Sequence, residues 1–306
     1  MDQAKNKLTV ALTGATGLVG ANVARLLGAA GYTVYGLRRE PAAPARWDVA
    51  SGEIVTPAPV DVVVHLAGRN VGQRWSARVK KEVWESRVPA TERLCRFLAR
   101  LPAERRPKIL LAASAIGIYG NRGDEVLTED SPLAPKGKLF LADVCIDWET
   151  ATRPAEDAGI SVCHVRVGVV LAKGGGALAK LMTPVKLGLG GPVGPGTQFM
   201  PWISNGDLCR LFQRLAEAKP GSLPPAVNGV GPAPVRQHEF IRTLGRVLRR
   251  PTIFPLPSFV VKAVFGQMGE EALLSSLRVI ATKLPAGFEC EDKTLEGALR
   301  RELGIG

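Results

Sequence analysis

Three glycines, Gly14, Gly17 and Gly20, stand three residues apart in "TGATGLVG", between an apolar run and an amphipathic one. In that setting Gly14 allows a tight turn and Gly17 lets backbone amides approach a diphosphate. Gly20 lets strand and helix pack closely. A helix opening at this point adds unpaired N–H groups and a partial positive charge, so Thr16, Leu18 and Val19 complete a loop suited to phosphate. The second strand then ends in "YGLRRE". An Asp or Glu there would bind a ribose 2′-hydroxyl. Arg38 and Arg39 instead suit a 2′-phosphate, which a carboxylate would repel. NADP is therefore the expected cofactor, and Glu40, still within reach of the ribose, keeps NAD as the alternative.

These groups need elements to hold them. "KLTVALTG" reads as a buried strand and "LVGANVARLLGAAG" as a helix ended by Gly31. "YTVYGLR", "DVVVHLAG", "KILLAASA" and "SVCHVRVGVVLA" read as further strands, with a short one near residues 53–55. One long helix is expected over residues 76–101 and another over 139–153. Alternating strands and helices predict an α/β, Rossmann-like, doubly wound parallel sheet. After Leu171 the rhythm changes, with five glycines in the nine residues 188–196. Helices are expected over 207–218 and 237–250, a strand at 226–231, and helical patches near 258–265, 269–277 and 293–303. This divides the chain into a cofactor domain (1–172 and 203–230) and a smaller C-terminal substrate lobe (173–202 and 231–306).

The chain has 306 residues, with 46% hydrophobic and 22% charged, the mix of a globular protein. No apolar run reaches the roughly 18 residues that a membrane span needs, so no membrane partner is expected. Five scattered cysteines without a C-x-x-C pair suggest reduced, buried thiols, and three distant histidines predict no metal site. The cytoplasm is the expected compartment; a removed transit peptide would leave no trace here. The formal net charge of +12 is dispersed and not interleaved with aromatics, which predicts attraction of anionic small molecules and no nucleic-acid partner.

"TGATGLVG", "HLAG", Ser86–Arg87, Tyr119–Gly120, "FLADVCIDWE", "RVGVVLAKGGGAL", "LGLGGPVGPGTQFMPWI" and "VFG" run from residue 13 to residue 266. Together they resemble the extended short-chain dehydrogenase/reductase superfamily, and within it an atypical branch of epimerase family proteins often labelled nucleotide-sugar epimerases. The resemblance implies a Rossmann-like domain, NADP, and a small-molecule substrate in the C-terminal lobe. It adds Leu66, Ala67, Gly68, Glu82 and Arg87 to the cofactor contacts, and Trp202 and Ser204 of "PWIS" to the substrate contacts. Relatives often have an acid after "LAG"; here Arg69 stands there, and an anionic substrate is expected beside it. By analogy alone, a homodimer would form through the two long helices flanking the sheet.

Active members of that superfamily, as the resemblance has it, carry a Tyr-x-x-x-Lys pair roughly 20 residues beyond Tyr-Gly. Its lysine lowers the tyrosine pKa so that the phenol can move a proton. Counting on from Tyr119–Gly120 reaches Phe140 and Val144, which exchange no proton, and the usual serine aligns with Ala115. Tyr119, Ser114 and Asp143 are the substitutes. Each also has a plain reading, as a packed aromatic, a strand-end hydrogen bonder and an exposed carboxylate. Asp207, before "LCRLFQRL", reads as a helix N-cap. Three activities stay open: an oxidoreductase or epimerase with substitute groups, a redox-silent NADP(H)-binding sensor or scaffold, and an acid/base isomerase or lyase with a structural cofactor.

Overall fold

The computed structural model describes residues 8–305. Its centre is a six-stranded sheet of β1 (Thr9–Thr13), β2 (Thr33–Gly36), β3 (Val62–His65), β4 (Ile109–Ala115), β5 (Ser161–Val167) and β6 (Ala226–Gly229). The strand order is β6-β5-β4-β3-β1-β2, and every neighbouring pair is parallel. The chain leaves β1 for β2 on one side and returns to β3 on the other. The gap between β1 and β3 is thus the topological switch point, where open α/β sheets bind ligands beyond the strand carboxyl ends.

Side chains alternate across this sheet. Val10, Leu12, Val62, Val64, Ile109 and Leu111 join one core, with Val23 and Leu27 of α1 (Leu18–Ala29) and Leu208, Leu211, Phe212 and Leu215 of the Asn205–Ala216 helix. Ala11, Val63 and Leu110 join the other, with Leu94, Cys95 and Leu98. Burial on both faces explains why β3 is apolar at Val62, Val63 and Val64 without alternation.

The helix expected over 76–101 is two, α2 (Ala77–Glu85) and α3 (Val88–Arg100), broken at Ser86–Arg87. Pro89 accounts for this: it lacks the N–H that would continue the ladder and fits only a first turn. The long strand from Ser161 also splits, at Gly168, where a Cβ would lie 2.8 Å from the Pro201 carbonyl oxygen. Its second part, Val169–Leu171, leaves the sheet and pairs with Trp202–Ser204.

The smaller lobe has its own core. It joins Leu178, Met182 and Val185 of an unforeseen Gly176–Lys186 helix to Phe240, Ile241 and Leu244 of the Gln237–Leu248 helix and Ala298 and Leu299 of the Leu295–Leu303 helix. Glycines before it and Pro184 inside it hid the Gly176–Lys186 helix from the pattern. Residues 278–290, grouped with this lobe by sequence, line the larger one. Arg278–Val279 pairs with Val126–Leu127, and Phe288 and Cys290 enter the sheet core. Among the described residues no helix is long and apolar enough to cross a membrane.

Candidate functional site

The β1–α1 corner is built by close backbone approach. Gly14 has φ of 71°, and a Cβ there would meet the Leu66 carbonyl carbon at 2.9 Å, across the switch point. A Cβ on Gly20 would fall 2.2 Å from the Gly14 oxygen, and one on Gly17 would fall 3.2 Å from it. Gly17 caps α1 in an extended conformation, and its own N–H donates to Gly14 at 2.9 Å. The amides of Leu18 and Val19 open the helix without i−4 carbonyls to bond. No acid lies in that first turn, and Thr16 and Gly17 are exposed. The corner is thus a tightly packed turn, closed to any side chain at Gly14 or Gly20, that leaves its N–H donors facing outward.

A buried relay holds the facing β3 loop. The Leu66 and Ala67 amides donate to Thr13 Oγ1 at 3.2 and 3.3 Å. That hydroxyl bonds His65 Nδ1 at 2.7 Å, and His65 Nε2 bonds Thr91 Oγ1 at 2.9 Å. Burial, with the Arg87 charge second, pushes the His65 pKa down to about 4, so the ring is neutral.

Arg38 sits at the tip of β2, its backbone pinned by the Ala45 carbonyl (3.0 Å) and the Trp47 amide (2.8 Å). The side chains of Arg38 and Arg39 are exposed, and neither bonds another described residue. Arg87 begins α3 and packs on Gly68, where a Cβ would lie 3.0 Å from the guanidinium carbon. It stacks 5.0 Å from the Trp148 ring and donates to the Val83 carbonyl at 3.3 Å. Glu82, expected on the cofactor, instead meets Arg69, expected on the substrate, at 3.0 Å. Arg69 thus already has a carboxylate partner, in a partly exposed and therefore weak ion pair.

The substitute proton carriers have other partners. Tyr119 is fully buried; its hydroxyl donates to Asn228 Oδ1 at 2.8 Å and accepts from Arg166 at 2.9 Å. Burial raises its pKa, against the lowering pull of Arg166. Ser114, 4% exposed, donates to Glu149 at 2.7 Å. Asp143 accepts from the Gly137 amide at 2.8 Å and braces the loop before α4 (Phe140–Thr150). The plain reading fits Tyr119 and Ser114: both belong to a buried network whose groups satisfy one another.

Phe140 and Val144 face α2, where Val144 packs with Val79, Val83 and Phe140. The start of α4 is capped from the far lobe, which the sequence did not signal. Glu271 accepts from the Phe140 amide at 3.1 Å and the Leu141 amide at 2.8 Å. Trp202 and Ser204 leave the substrate set, because they are 2% and 0% exposed. Ser204, rather than Asp207, is the N-cap of its helix, accepting from the Asp207 amide at 3.1 Å. Asp207 instead accepts from the amides of Glu291 (2.9 Å) and Asp292 (3.2 Å).

The fold and the sequence both have known relatives. Residues 10–228 match the model of the NAD dependent epimerase/dehydratase family, and residues 256–302 match a domain of unknown function, DUF1731. An epimerase family protein of Mycobacterium bovis is 41% identical, covering 95% of this chain and 96% of its own. The human epimerase family protein SDR39U1 is 36% identical over 96% of this chain and 99% of its own. A crystal structure of the human protein (isoform 2) with NADPH superposes with a TM-score of 0.85 at 34% identity, covering 97% of this chain and 99% of that one. The chain belongs to the NAD dependent epimerase/dehydratase family, among its SDR39U1-type, atypical extended short-chain dehydrogenase/reductase members.

Proposed function

We propose that this protein binds NADP(H) at the β1–α1 corner and acts as an oxidoreductase or epimerase on a small molecule, without a Tyr-Lys pair. The observation that carries the reading is the glycine cradle facing Leu66 together with two arginines, Arg38 and Arg39, free of any carboxylate among the described residues. NADPH in the human relative's crystal supports the same cofactor. In this reading the Leu18 and Val19 amides take the diphosphate and Arg38 the 2′-phosphate, with Arg39 beside it. Arg87 and the Leu66–Gly68 loop flank the nicotinamide half. The bound cofactor would supply a hydride; the chain orients it, with Phe140 beside the site and Val144 packed behind it against α2.

One observation favours a second reading, a redox-silent NADP(H)-binding sensor or scaffold: Phe140 and Val144, where the sequence count puts the usual pair, pack against α2. Binding and turnover are measured in sequence on the purified protein. NADPH is expected to bind more tightly than NADH, and a broad carbonyl screen to yield cofactor oxidation. Equal affinity for both cofactors removes the NADP assignment, whereas tight NADPH binding with no turnover leaves the silent reading standing.

A further inference from the structure

The lobes meet along residues 72–80, where the bridging side chains are cations bonded to uncharged oxygens. Arg74 Nη1 donates to the carbonyls of Ala263 (2.5 Å) and Val264 (2.9 Å), in the last turn of the Ser258–Phe265 helix. Lys80 Nζ donates to Gln267 Oε1 and lies 5.2 Å from the Phe140 ring centroid. Lys180 reaches across to the Gly72 carbonyl. Among the described residues, none of these three cations pairs with a carboxylate. Their neighbours differ: Glu82 serves Arg69 and Arg78, and Glu270 holds Lys262 at 2.8 Å.

Arg74 and Lys80 flank one turn, Gly266–Gln267. Gly266 has φ of 58°, and a Cβ there would sit 3.9 Å from the Arg74 guanidinium. Gln267 then separates Lys80 from Glu271, donating to that carboxylate at 2.6 Å. Glu271 is already occupied by this amide and by the two α4 amides. Carbonyl and amide dipoles only partly offset a guanidinium and an ammonium that meet the same short segment, 263–267, so the field there attracts an anion. The place is also suitable, since α4 begins beyond the carboxyl end of β4, on the ligand side of the sheet.

We propose that Arg74 and Lys80, on either side of the Gly266–Gln267 turn, form the anion site of the substrate cleft and hold a carboxylate or phosphate group. Phe140 and Trp75, whose rings meet edge-on at 5.1 Å, contact the substrate's carbon skeleton. The anion draws each cation from a neutral oxygen of the far lobe, so binding is read where the two lobes touch. The assignment is made in addition to Arg69, which already has the Glu82 carboxylate at 3.0 Å, and rests on the reading of this chain as a protein that handles a small molecule beside its cofactor.

The test titrates full-length protein, saturated with NADPH to fill the phosphate loop, with inorganic phosphate and separately with oxalate by calorimetry. Wild type is expected to bind at least one of them saturably. Arg74→Gln and Lys80→Gln each weaken that binding about tenfold, the worth of one charge-assisted hydrogen bond, with NADPH affinity unchanged. Lys80→Arg retains it. No saturable binding by wild type, or wild-type affinity retained in both glutamine variants, overturns the proposal. Reductive methylation of the wild-type protein, followed by mass spectrometry, needs no variant: whichever of the two anions binds slows modification of Lys80, and an unchanged rate at saturation with that anion also overturns the proposal. A wild type that does not bind NADPH overturns the cofactor reading alone, and the same variants are then compared without it.

Discussion

Arg166 grips Glu149 through two hydrogen bonds, Nε to Oε1 at 2.9 Å and Nη2 to Oε2 at 2.8 Å, with their side chains 7% and 13% exposed. Ser114 and Tyr119 attach to the two ends of this pair, and Asn228 links Tyr119 to the Ile280 carbonyl at 2.9 Å. Glu149→Gln leaves the guanidinium half-compensated, and destabilisation of about 3–5 kcal/mol is expected. Burial pushes the Glu149 carboxyl up, but Arg166, His164 and Ser114 bring it net below the usual range. A depressed folded pKa gives stability that is present above the unfolded value, about 4.3, and is lost as pH falls through the folded one. Urea unfolding of wild type therefore shows an acid limb that weakens in the variant; parallel limbs would assign that loss to other carboxylates.

In the proposed reading Arg38 carries the cofactor preference. Arg38→Ser removes a guanidinium that meets no partner among the described residues, so its effect on stability is expected within about 0.5 kcal/mol. Affinity for NADPH is expected to fall about 10- to 100-fold while NADH is nearly unaffected, as for loss of a charge-assisted phosphate contact. Fluorescence titration of both cofactors checks this. A fall shared by both would move the role of Arg38 to the common part of the dinucleotide.

His65 gives a second pH signature, higher on the scale. Its folded pKa is lowered to about 4, chiefly by burial and secondly by Arg87. The unfolded chain takes up a proton on this ring near pH 6.5 and the folded chain does not, so stability is lost as pH falls from about 6.5 towards 4. His65→Gln costs stability at pH 7 by disturbing the Thr13 and Thr91 contacts, yet flattens the dependence within this window. An unchanged slope would show that the ring titrates alike in both states.

What sequence conveyed follows from how local each feature is. The Gly14–Gly20 corner is a seven-residue device, so its spacing implied its geometry. The apolar strands betrayed their burial on both faces. The pairing of Arg69 with Glu82 at 3.0 Å was not legible, because the two lie on different elements and each was weighed alone. Tyr119 resembled a proton carrier until folding placed Arg166 and Asn228 on its hydroxyl. The inter-lobe contacts lay furthest from view: Arg74 meets Ala263 across 189 positions, and no periodicity records such a meeting. The Pro89 break in the long helix was readable in principle, since proline is tolerated only in a first turn.

The α2–α4 packing decides what a Tyr-Lys pair placed at Phe140 and Val144 would do. Phe140→Tyr adds a hydroxyl at the edge of a cluster containing Trp75, and Val144→Lys puts an ammonium at a position 3% exposed, against Val79 and Val83. A buried charge without a partner costs more than about 3 kcal/mol, so the double variant is expected to unfold at markedly lower temperature. The lysine could escape only by displacing α2, which carries Lys80 across Phe140. Calorimetry and cofactor oxidation on the same sample separate the outcomes. Lost stability without gained turnover means that these positions serve packing, and that proton transfer, where it occurs, uses groups outside α4. A stable double variant with new activity would mean that α2 yields easily and that the apolar pair is a replaceable plug in an otherwise ordinary active site.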